Sequence, residues 1–311
     1  MTTKPWQPSR RVLLGGLASL PVAGLFAGHS AGAGEGAPIS RIVPATGEAL
    51  PVIGMGSWIT FNVGGARRLR DARAEVMKTF FERGGRLIDC SPMYGTSAAV
   101  IGYGLERLGR PPQLFSASKV WTWLQSEGPE QMAASRAQWG VERFDLMQVH
   151  NLLNWGGHLE TLKRWKQEGR LRYLGVTTSH GRRHGELEAV MKRQPLDFVQ
   201  FTYNILDREA EERLLPLAAE RGQAVLVNRP FRRKALIRQF EKSPLPDWAA
   251  EFDAATWPQF LLKFIVSHPA VTCVIPATAR VDHMAENMAA LYGRLPDAAL
   301  RRRMVAYVES L

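Results

Sequence analysis

The chain has 311 residues, of which 45% are hydrophobic and 22% charged, a globular composition whose length suits two small domains or one α/β barrel of roughly 250 residues. The formal net charge is +11, but the arginine and lysine runs are scattered along the chain. A basic solvated surface is therefore expected, and the absence of a compact basic stripe interleaved with aromatics argues against nucleic-acid binding.

The first predicted element is an export signal over residues 1–33. A pair of arginines at residues 10–11 precedes an uncharged stretch at 13–27, and Ala-Gly-Ala at 31–33 closes it. This pattern is typical of a twin-arginine signal peptide, so the twin-arginine export machinery is an expected partner and the protein is expected to be periplasmic or otherwise exported. An uncleaved membrane anchor is the alternative. Residues 34–40 are predicted to be a flexible linker, and no later segment is long enough to span a bilayer.

From residue 41 onwards, short apolar runs alternate with amphipathic stretches. Eight of the runs are predicted to be strands, at residues 52–56, 86–89, 114–119, 146–150, 173–177, 198–201, 224–228 and 273–276. Apolar residues recur at spacings of three and four in eight predicted helices, at residues 71–83, 98–108, 129–139, 159–168, 185–193, 211–221, 257–267 and 281–291. The alternation predicts a (β/α)8 TIM barrel over residues 41–311. A doubly wound sheet, the alternative, would need a glycine-rich turn that opens a helix after the first strand.

Three further segments complete the predicted fold. A turn sequence within residues 41–49 predicts an N-terminal hairpin at the bottom of the barrel, and residues 296–311 predict an extra C-terminal helix. Residues 231–256 are predicted to be a long loop. Loops of this length are usually functional or mobile, so this one is a candidate lid. The two cysteines, Cys90 and Cys273, lie in or beside apolar runs and are expected to be buried thiols.

Three consecutive predicted strands end in an ionisable residue, namely Asp89, Lys119 and His150, and the loop after the second strand supplies Tyr94. The carboxyl ends of barrel strands meet at one rim, where functional residues gather. Each residue taken alone has a structural interpretation, as a cap, an ion pair, a loop aromatic or a core histidine. Their coincidence at matched strand ends favours catalysis.

These residues also carry a resemblance. The motif GRLIDCSPMYG at residues 85–95, together with Lys119, His150 and the tract at residues 275–287, resembles the aldo/keto reductase family. The resemblance extends over residues 41–291. It implies a small-molecule carbonyl substrate, an aldehyde or ketone that is reduced to the alcohol by hydride transfer from NADP(H), and it requires no metal.

The resemblance implies a role for each residue at the rim. Tyr94 would be the general acid that protonates the carbonyl oxygen. Because a free phenol has a pKa near 10, Lys119, held by Asp89, would be needed to lower that pKa. His150 would orient or polarise the carbonyl.

A set of cofactor contacts is likewise implied by the resemblance. They are Ser57, Trp58, Thr177, Thr178, Gln200, Asn228, Arg229, Phe231, Thr278, Arg280, His283, Glu286 and Asn287. Thr178 and Asn228 depart from the asparagine and the aromatic that the family often has there. Arg280 favours a 2′-phosphate, so NADP(H) is expected rather than NAD(H).

Tryptophans just beyond the strand ends predict an aromatic substrate pocket for an apolar or ring-bearing carbonyl, formed by Trp58, Trp121, Trp123 and Trp155. An alternative function is a nucleotide-binding sensor or regulatory barrel with little turnover, which the departures at Thr178 and Asn228 motivate. A barrel glycoside hydrolase would need paired carboxylates that the sequence lacks.

Overall fold

The computed structural model describes residues 1–2 and 36–311, so nearly all of the predicted export signal lies outside the described residues. Gly34–Leu311 forms one compact unit. In the part of the chain that the structure describes, no helix combines the length and the apolarity needed to cross a bilayer.

The described fold begins with a hairpin of two antiparallel strands, β1 (Ser40–Val43) and β2 (Glu48–Pro51). Val43 and Leu50 are fully buried against residues of the barrel interior such as Phe115. The hairpin turn is also bonded to the barrel, since the Thr46 hydroxyl lies 2.6 Å from the Tyr173 hydroxyl. The hairpin therefore closes one end of the barrel, as predicted.

The barrel itself is one parallel sheet whose strands follow one another in chain order. These strands are β3 (Met55–Gly56), β4 (Leu87–Asp89), β5 (Phe115–Val120), β6 (Phe144–Val149), β7 (Leu171–Thr177), β8 (Phe198–Thr202), β9 (Ala224–Asn228) and β10 (Cys273–Val274). Parallel bridges from Ile53 to Val274 and from Gly56 to Ala277 join the first strand to the last. A Cβ atom at Gly56 would lie 2.8 Å from the carbonyl oxygen of Ile275, so this close approach requires glycine. The closure confirms the predicted (β/α)8 barrel over a doubly wound sheet.

Helices alternate with the strands of the barrel along the chain. They are α1 (Arg67–Glu82), α2 (Ser97–Arg107), α3 (Gly128–Trp139), α4 (Trp155–Gln167), α5 (His184–Arg193), α6 (Leu214–Arg221), α7 (Ala235–Phe240), α8 (Trp257–Val266), α9 (Val281–Ala289) and α10 (Ala298–Glu309). In α1 the buried face includes Val76, Met77 and Phe80, at the spacing of one and four expected of an amphipathic helix. Each such buried side chain contributes about 1.5–3 kcal/mol.

The prediction of a long loop over residues 231–256 is wrong, because the segment contains α7 and a 3-10 helix at Asp247–Phe252. Phe240 and Phe252 are fully buried, and the ring of Phe240 stacks on Trp257 with centroids 5.2 Å apart. Apolar residues at helical spacing around Phe240 were the sequence signal for this helix.

Helix α10 confirms the predicted C-terminal helix. A buried lysine holds the segment that leads into it. The ammonium of Lys263, in α8, donates to the carbonyl oxygens of Phe252 and Tyr292 at 2.8 Å and of Arg294 at 3.0 Å. This one side chain therefore joins α8 to the 3-10 helix before it and to the segment that precedes α10.

Candidate active site

Asp89 and Lys119 form a buried ion pair at the carboxyl ends of β4 and β5. The strand register pairs Asp89 with Ala117, and Lys119, two residues further along, therefore points to the same side. Its Nζ lies 2.5 Å from Oδ2 of Asp89 and donates to the carbonyl oxygen of Cys90 at 3.0 Å. The two side chains are 0% and 3% exposed. Removing either partner would leave an uncompensated buried charge.

The other carboxylate oxygen of Asp89 is held by two amides. Oδ1 accepts hydrogen bonds from Nε2 of Gln148 at 3.2 Å and Nε2 of Gln200 at 3.1 Å. Gln148 was missed by the sequence analysis, although its position two residues before His150 places it on the same inward face. The carboxylate thus has partners on both oxygens and a fixed orientation.

Tyr94 ends a 3-10 turn, Pro92–Tyr94, which follows β4. The ammonium of Lys119 lies 5.4 Å from the centroid of its ring. Burial raises the pKa of the phenol well above its usual value, and the charge of Asp89 raises it further. The net direction is opposite to the lowering expected from Lys119, because burial of the phenol is the largest influence on its pKa. The phenol therefore keeps its proton at neutral pH.

His150 follows β6 and faces Tyr94. The two rings meet edge to face with centroids 5.7 Å apart, and Nδ1 lies 2.7 Å from Oγ of Ser91. Burial, and then the charge of Lys119, lowers the pKa of His150 well below its usual value, so the imidazole is neutral. The structure brings together all four residues predicted for the rim, and it adds Ser91, which the sequence analysis did not single out.

The sequence profile of the aldo/keto reductase family matches residues 52–303. The chain belongs to the aldo/keto reductase family. It is accordingly an oxidoreductase that reduces carbonyl compounds with a nicotinamide cofactor, NADH or NADPH.

Known proteins are similar to this reductase over most of their length. The aldo-keto reductase str7 of Strobilurus tenacellus is 26% identical over 279 residues, which cover 75% of this chain and 81% of that one. The NADH-specific methylglyoxal reductase of Escherichia coli (strain K12) is 24% identical over 285 residues, covering 73% and 85%. The crystal structure of an aldo/keto reductase from Klebsiella pneumoniae in complex with NADP and acetate superposes with a TM-score of 0.71 at 22% identity, covering 85% and 92%.

The ends of β7, β8 and β9 bring three of the predicted cofactor residues into one network. Nδ2 of Asn228 donates to the carbonyl oxygen of Thr178 at 2.9 Å and to Oε1 of Gln200 at 3.3 Å. Gln200 in turn donates a hydrogen bond to Asp89, so the network connects the predicted cofactor residues to the buried ion pair of the reductase. Oγ1 of Thr178 is buried and has no hydrogen-bond partner among the described residues. A buried polar atom without a partner is available to a bound carboxamide.

Two of the hydroxyls predicted to contact the cofactor are also hydrogen-bonded to the protein backbone. Oγ of Ser57 donates to the carbonyl oxygen of Asp89 at 2.8 Å. Oγ1 of Thr177 accepts from the backbone amide of Asn151 at 3.0 Å. These hydroxyls hold the ends of β4 and β6 in place, which is a role that the sequence analysis did not assign to them.

A cationic side of the rim follows β9. Nε and Nη1 of Arg229 are buried without a partner in the described part of the chain, and the residue has a left-handed backbone with φ of 53°. The guanidinium of Arg233 lies 4.6 Å from the ring centroid of Trp58, across the closing seam of the barrel. Phe231 is half-buried and packs on the core. An unpaired guanidinium of this kind fits a phosphate group.

The residues predicted for the adenosine end of the cofactor lie in the segment between β10 and α9 and along α9 itself. The guanidinium of Arg280 is engaged by Asp282, with Nε 2.9 Å from Oδ1, and both side chains are exposed. The backbone amide of His283 donates to the same carboxylate. Thr278 and Asn287 are buried, and Glu286 is half-buried. Asp282 was missed by the sequence analysis, and it places a negative charge beside the expected 2′-phosphate position.

Two of the tryptophans predicted to form the substrate pocket are exposed, and the indole N–H of a third is hydrogen-bonded within the protein. Trp121 and Trp123 follow β5 and are 39% and 78% exposed. Trp155 is half-buried, and its Nε1 donates to Oε1 of Glu186 at 3.2 Å. Trp155 therefore links α4 to α5, and its indole N–H is already used.

The loop that carries the exposed tryptophans is held through its backbone. The side-chain amide of Gln131 accepts from the amide of Trp121 at 2.6 Å and donates to its carbonyl at 2.8 Å. Nε2 of His158 lies 2.9 Å from the carbonyl oxygen of Thr122, and Asn154 donates to that of Trp123 at 2.9 Å. The loop thus presents apolar side chains to solvent from a fixed backbone.

Proposed function

We propose that this protein is an NADP(H)-dependent reductase of aldehydes or ketones in which Tyr94 is the general acid. The observation that supports it is the convergence of a neutral phenol and a neutral imidazole beside the buried Lys119–Asp89 pair at one rim of the barrel. When bound, the nicotinamide supplies the hydride. Thr178 and Arg229 have buried polar atoms that lack a partner among the residues that the structure describes, and these atoms fit its carboxamide and phosphate groups.

The residues of the chain divide the proton chemistry among them. His150 is neutral and donates a hydrogen bond to the carbonyl oxygen, which polarises the carbonyl. The phenol O–H bond of Tyr94 breaks as the new O–H bond of the alcohol forms. Lys119, 5.4 Å from the ring centroid, stabilises the phenolate that results. Asp89 keeps the ammonium in that position through the 2.5 Å contact.

The decisive experiment is single-turnover oxidation of NADPH bound to the purified protein, with a panel of aldehydes and ketones. We expect Tyr94→Phe to slow the reaction about 100- to 10,000-fold without weakening NADPH binding. Tyr103→Phe is the matched control, because its hydroxyl bonds Asp71 on the outer helices, at 2.6 Å. Undiminished reduction by Tyr94→Phe would contradict the acid role. Binding of NADPH with no oxidation by any carbonyl would instead favour the sensor.

We infer a preference for NADP(H), supported by the cationic Arg229 and Arg280. Arg229 would contact phosphates that both nucleotides carry, whereas Arg280 would meet only the 2′-phosphate. Asp282 opposes that second contact. We therefore expect Arg229→Met to weaken NADPH and NADH alike, and Asp282→Asn to tighten NADPH about 2- to 5-fold with NADH unchanged. Equal effects of Asp282→Asn on both nucleotides would remove the argument for this site.

We also propose that residues 1–33 are a twin-arginine signal, that 34–40 are a linker and that 41–311 are the catalytic barrel of an exported, periplasmic enzyme. The support is the arginine pair at residues 10–11 followed by the uncharged stretch. In a bacterial host, the full chain should appear in the periplasmic fraction and should be retained inside when both arginines are replaced by lysine. Detection only in the cytosol, unprocessed, would contradict the proposal.

A further inference from the structure

Ser91 contacts both His150 and the turn that carries Tyr94. Its Oγ lies 2.7 Å from Nδ1 of His150 and accepts a hydrogen bond from the backbone amide of Met93 at 3.2 Å. The second bond caps the 3-10 turn that carries Tyr94. Ser91 is 1% exposed and His150 5% exposed. One hydroxyl therefore connects the turn of the acid to the imidazole.

The hydrogen of this hydroxyl decides which tautomer of His150 is present. A serine hydroxyl has one hydrogen to donate, and among the described residues Nδ1 of His150 is the acceptor that lies within hydrogen-bond distance of it. If Nδ1 carried a proton and donated it to Ser91, the hydroxyl hydrogen would be buried without an acceptor, which is unfavourable. The arrangement that pairs every buried group has Nδ1 as the acceptor and the proton on Nε2.

We propose that Ser91 is a positioning residue that fixes the Nε2–H tautomer of His150 and so makes the imidazole a hydrogen-bond donor to the substrate carbonyl. This inference rests on the proposed reductase function. It assigns to Ser91 a role in the orientation of the carbonyl beside Tyr94, although Ser91 itself touches neither substrate nor cofactor.

A hydroxyl suits this position better than a charged group. A carboxylate at Nδ1 would favour the doubly protonated imidazolium. In this site the ammonium of Lys119 and the burial of the ring keep the imidazole neutral. A neutral donor at Nδ1 leaves the ring uncharged and still determines which nitrogen bears the proton.

The tautomer can be read directly by 15N NMR of the imidazole, with the signals of His150 assigned by their loss in His150→Gln. In the wild type we expect Nε2 in the range of a protonated nitrogen and Nδ1 in that of an unprotonated one. Ser91→Ala should mix the two forms and lower kcat for carbonyl reduction about 3- to 10-fold, the scale of one hydrogen bond. Ser91→Thr, which keeps the hydroxyl, should restore the single tautomer and most of the rate.

Ser116→Ala is the matched control. Ser116 is also a buried serine, but its Oγ bonds Asp145 at 2.9 Å, away from the rim. A protonated Nδ1 in the wild type would overturn the proposal, and so would an unchanged tautomer in Ser91→Ala. Because the NMR signals do not depend on turnover, a failure of the reductase assignment would leave this measurement intact and would be recognised separately.

Discussion

The two ends of the barrel use the same kinds of charged residue in opposite ways. At the end closed by the hairpin, Arg172 bonds Glu48 at 2.5 Å and Asp145 at 2.7 Å, and the same glutamate accepts from Arg86 at 2.9 Å. These side chains retain 17–33% exposure, so water shares their charge. At the other end, Lys119 and Asp89 have lost nearly all contact with water.

The difference shows where the fold is stabilised and where it is kept reactive. At the hairpin end, each charge interacts with both a partner and solvent. Such pairs hold two segments together and contribute modestly to the free energy of unfolding. At the rim, burial removes solvent from an ion pair, a phenol and an imidazole. Within residues 36–311, buried polar atoms of Thr178 and Arg229 have no hydrogen-bond partner. Unpaired buried polar groups favour a bound ligand over an empty site.

The largest expected effect comes from breaking the buried pair. Lys119→Met leaves the Asp89 carboxylate buried with its amide partners only, and we expect a loss of about 3–5 kcal/mol in the free energy of unfolding together with loss of carbonyl reduction. Urea unfolding followed by circular dichroism measures the first and NADPH oxidation the second. A loss of activity without any loss of stability would mean that the pair is less isolated from water than its exposure indicates.

Arg172→Leu tests the opposite end with a smaller effect. We expect a loss of about 1–2 kcal/mol of stability with kcat unchanged, because the network is partly exposed and lies at the hairpin. Burial acts to raise the pKa of Glu48, but the bonds from Tyr173 and the charge of Arg172 lower it overall. The lowered pKa stabilises the fold above the usual value of 4.5, and this stabilisation is lost as pH falls through the folded pKa. In Arg172→Leu, unfolding should therefore depend less on pH in that acid range, and an altered kcat would contradict the separation of the two ends.

The pH profile of reduction sharpens the comparison at the rim. Because the pKa of Tyr94 is raised, the acid form should persist at neutral pH, and the rate should fall tenfold per pH unit only above about pH 10. Because the pKa of His150 is lowered, no acid limb should appear near pH 6.5. Measuring kcat with NADPH across this range tests both directions. An alkaline limb near pH 7–8 would show that Lys119 lowers the phenol pKa during turnover.

Much of the site was predictable because barrel strands are short and apolar until they end. Asp89, Lys119 and His150 each interrupt an apolar run, and parallel strands bring such ends together. Gln148 and Ser91 were harder to find, since a polar residue inside a strand or a turn is informative only when its facing direction is known. The direction of the Tyr94 pKa shift was also not predictable, because it depends first on how deeply the phenol is buried in the folded protein.

The elements missed by the sequence analysis have a common cause. The helix α7 lies in a stretch with prolines and clustered charges, and its six residues are too few to outweigh those loop signals. Asp282 was overlooked because its effect on the site comes from its contact with Arg280, which the residue type alone does not reveal. At these positions the functional interpretation depends on contacts between side chains, whereas the barrel could be predicted from the periodicity of apolar residues along the chain.

The smallest expected effect concerns the exposed indole of Trp123, which has 78% of its surface free on a loop held by Gln131, His158 and Asn154. Exposed apolar surface on a fixed backbone next to the rim suits a substrate with an apolar or ring-bearing body. We expect Trp123→Ala to raise KM for such carbonyls about 3- to 10-fold while small polar aldehydes are unaffected. Leu69→Ala is the control, since Leu69 is 42% exposed on α1. Equal loss for small and large carbonyls would mean that Trp123 supports the loop and does not contact the substrate.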